Sequence, residues 1–183
     1  MLKRICITGP ESTGKSWLSK RLAQHYQTVW VPEYAVEYLE KRTPRYSYDD
    51  IAAIARGQFA SEEQLAPKAN KLLFCDSGLL VCKIWSEVVF NQTDPWINKM
   101  ISKHPYDLYL LTSPDIPWQS GPFRENPDNR DELFELYENE LRAAKFPYRI
   151  ISGHGTKRLE KAVNIVDKLL KSVNEARGLE TKN

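Results

Sequence analysis

Residues 9 to 16 read Gly9-Pro10-Glu11-Ser12-Thr13-Gly14-Lys15-Ser16, a complete G-x-x-x-x-G-K-[ST] run. That spacing is suited to holding a nucleotide triphosphate. Glycine lets the backbone curl until successive N–H groups point inward at phosphate oxygens. A helix opening at Lys15 adds the positive end of its dipole and its unpaired amide donors. Lys15 contributes a mobile charge for the outer phosphates, and Ser16 a hydroxyl ligand for Mg²⁺. Gly9, Glu11, Ser12, Thr13, Gly14, Lys15, Ser16 and the adjoining Trp17 are therefore the expected cofactor-binding set, with ATP and Mg²⁺ as the cofactors. Trp17 stands where many proteins with this loop carry a second hydroxyl.

The loop has the flanks that the chemistry requires. Arg4-Ile5-Cys6-Ile7-Thr8 before it has the β-branched content of a buried strand, and Trp17, Leu18, Leu22 and Tyr26 after it recur at helical spacing. Further short apolar runs lie at 28–32, 72–75, 108–111 and 148–151. Helical patterns separate them, over 15–26, 34–42, 48–65, 78–90, 95–103, 128–144 and 156–172. Ser47 and Asp50 have capping-box spacing before the third helix, and Pro44 separates it from the second. Strands alternating with helices predict an α/β fold, a five-stranded parallel sheet with helices on both faces.

In such folds ligands bind beyond the carboxyl ends of the strands. Glu33 and Tyr34 follow the second strand; Asp76, Ser77 and Gly78 follow the third. Phosphoryl transfer needs one acid on the metal and another to orient or deprotonate the attacking hydroxyl. Asp76 suits the metal side together with Ser16, and Glu33 the acceptor side; the alternative for each acid is a helix cap or first-turn position. The stretch from Thr112 to Arg130 carries Pro114, Pro117, Gly121, Pro122 and Pro127 and reads as a lid over about 113–130. Its Arg124 and Arg130 are candidate arginine fingers, with a solvated helix start as the alternative for Arg130. Gly153, in the turn after the fifth strand, is placed at the nucleotide base, and His154 beside it in solvent. Of the aromatic residues, Tyr34 and Trp118 lie where a ligand ring would stack, whereas most of the others are core anchors.

At 183 residues the chain fits one domain over 1–172 followed by a polar tail, 173–183, expected to fray from Asn174. A formal net charge of +2, from 26 basic and 24 acidic residues, gives no reason to invoke nucleic acid or a membrane surface. The chain enters a strand at once and holds no run of 18 apolar residues, so no signal peptide or membrane span is expected. Three cysteines without C-x-x-C spacing read as buried thiols of a reducing, cytoplasmic compartment.

Gly9 to Ser16, Val31-Pro32-Glu33-Tyr34-Ala35, Phe74-Cys75-Asp76-Ser77, and Trp118 through Arg124-Glu125-Asn126-Pro127 together resemble the ribosylnicotinamide kinase domain of NadR-type NAD-biosynthesis proteins, across about residues 3 to 170. The resemblance implies a P-loop nucleoside-kinase-like three-layer fold. It also implies ATP- and Mg²⁺-dependent phosphorylation of the 5′-hydroxyl of nicotinamide riboside, giving nicotinamide mononucleotide. Lys15, Glu33, Asp76, Arg124 and Arg130 would then be catalytic, and Glu33, Tyr34, Asp76 and Trp118 would meet the substrate. The adenylyltransferase domain often fused to such kinases is expected to be absent, since the chain begins at the P-loop strand. Val36, Gly78, Gly121 and Trp17 depart from the family pattern, the first three where it has Arg, Asp and Asp. Two further readings stand beside this one: a kinase for another nucleoside or metabolite, and a nucleotide-sensing regulatory ATPase.

Overall fold

The structure is a computed structural model describing residues 1–41, 45–121 and 123–180. Alternating apolar residues explain its centre. In β1 (Lys3–Thr8), β3 (Leu72–Asp76) and β4 (Leu108–Thr112), successive side chains point to opposite faces. Ile5, Ile7, Leu72, Phe74, Leu108 and Leu110 enter one core layer, closed by Leu18 and Leu22 of α1 (Lys15–His25) and by Ala162 and Val166 of α7 (Gly155–Glu180). Cys6, Leu73, Cys75, Tyr109 and Leu111 enter the other. Leu80 and Ile84 of α4 (Leu79–Phe90) and Tyr137 and Leu141 of α6 (Arg130–Ala143) cover that layer. A sheet clad on both faces needs unbroken apolar strands, which is what the sequence supplies.

With β2 (Trp30–Val31) and β5 (Tyr148–Ile151) the sheet has five parallel strands, as expected, and their order is β2-β3-β1-β4-β5. β2 is shorter than the apolar run over 28–32. Pro32 ends it, and the Thr28 hydroxyl is spent on Leu72 O at 2.7 Å. From β1 the chain moves toward β2, and from β4 toward β5. The switch point therefore falls between β1 and β4, where a crevice opens beyond the strand ends.

Helices α2 (Tyr34–Glu40), α3 (Tyr48–Leu65) and α5 (Pro95–Lys103) pack with α4 around a third cluster holding Leu39, Ile51, Ile54 and Ile97. The capping box forms as its spacing predicts: Ser47 Oγ accepts from Asp50 N, and the Asp50 carboxylate accepts from Ser47 N at 2.8 Å. Pro44, expected to part α2 from α3, lies outside the described residues, as does Pro122. α6 begins at Arg130 rather than 128. α7 continues to Glu180, through much of the tail that the polar composition led us to expect frayed. The three thiols are free and buried, and burial pushes all three upward in pKa. No helix among the described residues is long and apolar enough to cross a membrane.

Candidate active site

β1 delivers the chain into the glycine loop at the switch point. Gly9 has φ +130, and a Cβ there would stand 2.8 Å from Thr112 Oγ1, so only glycine lets the loop lie against the end of β4. Thr13 Oγ1 donates to Pro10 O at 2.7 Å and meets Thr112 Oγ1 at 2.7 Å. Lys15 Nζ donates to Pro10 O at 2.8 Å, which folds the ammonium into the loop. Gly14, at φ +80, is the N-cap of α1, and no side chain caps that helix. Its first-turn amides remain available as anion donors.

Asp76 ends β3, opposite Ile7 in register, so its carboxyl lies beside the start of the loop. It is 1 % exposed. Burial first, and the Glu33 charge second, push its pKa up to about 7, while a hydrogen bond from Ser16 and the Lys15 charge act in the opposite direction. One of its oxygens, Oδ1, is buried without a hydrogen-bond partner. A buried carboxylate oxygen left over beside a hydroxyl is a fitting place for a divalent cation. Mg²⁺ in phosphate sites takes one or two carboxylates plus the substrate's own oxygens. No group of three or more His, Cys, Asp or Glu side chains that could hold a metal ion exists among the described residues. Ser16 and Asp76 are the groups that would hold the ion.

Glu33 is the N-cap residue of α2, yet its side chain makes no capping bond. Glu33 lines a cavity of about 700 Å³ together with Gly9, Glu11, Ser12, Thr13, Gly14, Lys15, Ser16 and Trp17. The structure thus brings the whole loop and Glu33 to one opening, with Asp76 buried next to it.

The lid lies over that opening and is tied to the loop. Ser12 Oγ accepts from Gln119 N at 2.8 Å, and the Glu11 carboxylate accepts from Glu125 N at 3.1 Å and from Asn126 N. Arg124 lines the cavity and is exposed, folding back to donate to Gln119 O at 2.6 Å. A Cβ on Gly121 would stand 3.3 Å from Arg124 Nε, so the guanidinium lies over the position where the family pattern has Asp. Arg130 does not line the cavity. It donates to Ser12 O at 3.2 Å and to Ile116 O at 3.1 Å, joining the loop to the root of the lid from behind.

Two expected ring contacts are placed elsewhere. Tyr34 packs its ring on Gly57, where a Cβ would come within 2.0 Å of Cε1, and is absent from the cavity wall. Trp118 is also absent from it, although its neighbours Pro117 and Gln119 line it. Other rings line the cavity, those of Trp17, Tyr46, Trp85, Phe123 and Tyr137, and Tyr46 meets Trp85 edge to face at 4.7 Å. Trp85, left among the aromatic residues read mostly as core anchors, had a signal in a stripe: Val81, Ile84, Trp85 and Val88 recur at helical spacing and all reach the wall. Gly78 points the other way: a Cβ there would meet Tyr106 Oη at 2.6 Å and Cys6 Sγ at 2.9 Å, so a side chain would enter the interior rather than the cavity.

Gly153 does not reach the cavity wall either. Its N–H donates to Asp115 Oδ2 at 2.6 Å, and its carbonyl accepts from Arg158 Nε at 2.7 Å. Arg158, 2 % exposed, was missed in the sequence. Its guanidinium also donates to Thr13 O, to Ser113 O at 3.1 Å and to Asp115, which binds the loop, the lid root and the β5–α7 turn together. Its place in the stripe Arg158, Ala162, Val166 marks it as inward-facing, but that spacing does not name its partners.

A parallel sheet with a phosphate loop after the strand at the switch point, an acid at the end of the adjacent strand and a lid after β4 define a P-loop fold of the nucleoside-kinase type. Residues 4–158 match the family described as AAA domain, and the chain belongs to that family. It is similar to the trifunctional NAD biosynthesis/regulator protein NadR of Escherichia coli (strain K12), with 25% identity over 127 residues, 67% of this chain and 31% of the relative. NadR of Salmonella typhimurium is 25% identical over 129 residues, with the same coverage. A crystal structure of NadR protein in complex with NAD and AMP-PNP superposes with a TM-score of 0.75 at 26% identity, covering 92% of this chain and 49% of that one. Deoxyadenosine kinase from M. mycoides shares the fold at a TM-score of 0.61 and 14% identity, covering 90% of this chain and 99% of that one. The chain spans about a third of the length of the curated relatives it matches, 31% in each case.

Proposed function

We propose that this protein is an ATP- and Mg²⁺-dependent small-molecule kinase that phosphorylates the 5′-hydroxyl of nicotinamide riboside. The observation that carries the reading is the opening of Lys15, Ser16 and Glu33 onto one cavity, with the Asp76 carboxylate buried beside them. Lys15 and the loop amides hold the donor phosphates, and Ser16 and Asp76 hold the metal, which screens the phosphate charge. Glu33 accepts the proton of the acceptor hydroxyl or orients it for in-line attack. Arg124 turns from Gln119 O onto the transferring group, where a planar fork matches charge spread over three oxygens.

The acceptor side of the cavity favours a nucleoside with a cationic ring. Four carboxylates line the cavity, Glu11, Glu33, Glu40 and Glu125, against the two cations Lys15 and Arg124. With both cations serving the donor phosphates, the described wall offers a phosphorylated acceptor no further cation, whereas it offers a pyridinium ring the carboxylates of Glu33 and Glu40 beside Glu11, held by lid amides, and Glu125, held by Tyr46. The Tyr46 and Trp85 rings add faces to which such a ring is drawn. The similarity to NadR, one structure of which is in complex with NR, supports the same acceptor. A different nucleoside is the second reading, favoured by Val36, an apolar residue on the cavity wall where the resembled pattern has Arg.

An ATP-consumption screen over nucleosides and their monophosphates, nicotinamide riboside included, tests the proposal. Turnover is expected with nicotinamide riboside and not with monophosphates. Turnover confined to another nucleoside selects the second reading, and ATP hydrolysis indifferent to every acceptor overturns the kinase.

A further inference from the structure

A helix normally draws on its N-cap side chain to satisfy amide donors of the first turn. Glu33 holds that position in α2 and gives no such bond. Two of the first-turn donors are met otherwise: Val36 N donates to Glu33 O at 3.3 Å, and Tyr34 N donates to Gln58 Oε1 of α3 at 2.9 Å. Gln58 is 3 % exposed, and its orientation is fixed from behind. Its Nε2 donates to Glu62 Oε1 at 3.4 Å, and Tyr106 Oη donates to the same carboxylate oxygen at 2.7 Å. The preceding Gly57 receives the Tyr34 ring. The neighbouring pair Gly57 and Gln58 therefore grips Tyr34 by ring and backbone, one residue from Glu33.

We infer that Gln58 is a positioning residue for Glu33: from α3 it holds the Tyr34 N–H of the peptide that joins Glu33 to α2, which fixes the backbone from which Glu33 faces the cavity. This rests on the reading of Glu33 as the group that acts on the acceptor hydroxyl. A Gln58 that served only the packing of α2 against α3 would affect stability and leave the chemistry of Glu33 alone. Without the Gln58 acceptor the Tyr34 N–H is left unpaired, and the peptide that carries Glu33 shifts to find another partner.

The test is a double-mutant cycle in the full chain. Gln58→Met keeps length and removes the acceptor; Gln58→Asn keeps the amide but withdraws it by a methylene, and serves if the first variant does not fold. Thermal melting and ATP affinity confirm the folded site. Each variant is expected to lower kcat by about 10–10²-fold, the cost of a misplaced reacting group, with ATP affinity unchanged. Combined with Glu33→Gln, the Gln58 substitution is expected to add no further loss. An equal loss in both backgrounds, or a parent kcat for Gln58→Met, overturns the positioning role while Glu33→Gln remains slow. A parent rate for Glu33→Gln itself overturns the reading of Glu33 and the inference with it.

Discussion

Asp76 holds the least favourable charge of the site. Its folded pKa of about 7 lies above the ordinary 3.8, because burial and the Glu33 charge oppose ionisation. Between those two values the folded protein binds more protons than the unfolded chain, so this group's contribution to stability falls as pH rises from about 4 to about 7. In metal-free protein the melting temperature should decline across that window, and Asp76→Asn should flatten the decline. Mg²⁺ and ATP together should restore the parent at pH 7 and leave Asp76→Asn with a raised metal requirement and most of its activity lost. Metal titrations and pH-dependent melts that overlay for the two proteins would leave Asp76 no role at a metal. At this scale the loop and both acids were legible, since their types sit at strand ends where the chemistry needs them. Arg158, Gln58 and Tyr46 were not. Each works through a partner distant in sequence, such as Thr13 for Arg158 or Tyr34 for Gln58, and no local spacing encodes such pairs.

Strands and helices followed their patterns because the local and tertiary demands agree. The period-two runs of β1, β3 and β4 fill two core layers, and the Ser47–Asp50 spacing closes its capping box. Ser47→Ala should lower stability by about 0.5–2 kcal/mol, the range for such caps, and leave ATP affinity unchanged. Denaturant unfolding with parallel ATP titration checks this; a loss of ATP affinity would mean that α3 reaches the site more directly than its packing indicates. The lid was legible as an element and not in its details. Its proline and glycine content marked it as a covering loop, but the fold sends Trp118 away from the cavity and ties Arg130 to the backbone of the phosphate loop. Arg124 is the arginine left facing the cavity. Arg124→Lys should reduce the transfer rate by about 10³-fold, the lower end for arginine fingers, because lysine lacks the planar fork. A rate within a few-fold of the parent in steady-state kinetics would reduce Arg124 to a lid-turn residue.

Across the whole molecule, the strand order determines where chemistry takes place. The connections lead to opposite sides of the sheet from β1 and from β4, which opens the crevice between them; the phosphate loop and the lid flank it, and residues of α2 and α4 line the cavity. Two of the departures from the resembled pattern take on a physical meaning here: Gly78 faces Tyr106 in the interior, and Gly121 makes room for Arg124. Neither glycine lines the cavity, so in the proposed function acceptor recognition is assigned to Glu33 and its surroundings. The most direct measurement is the rate of phosphoryl transfer from ATP to nicotinamide riboside by the parent and by Glu33→Gln, with ATP affinity determined alongside. The parent should form the 5′-phosphate, and Glu33→Gln should do so about 10²–10⁴-fold more slowly, the usual range for a general base, at unchanged ATP affinity. No transfer by the parent, or equal rates for the two proteins, would contradict the account.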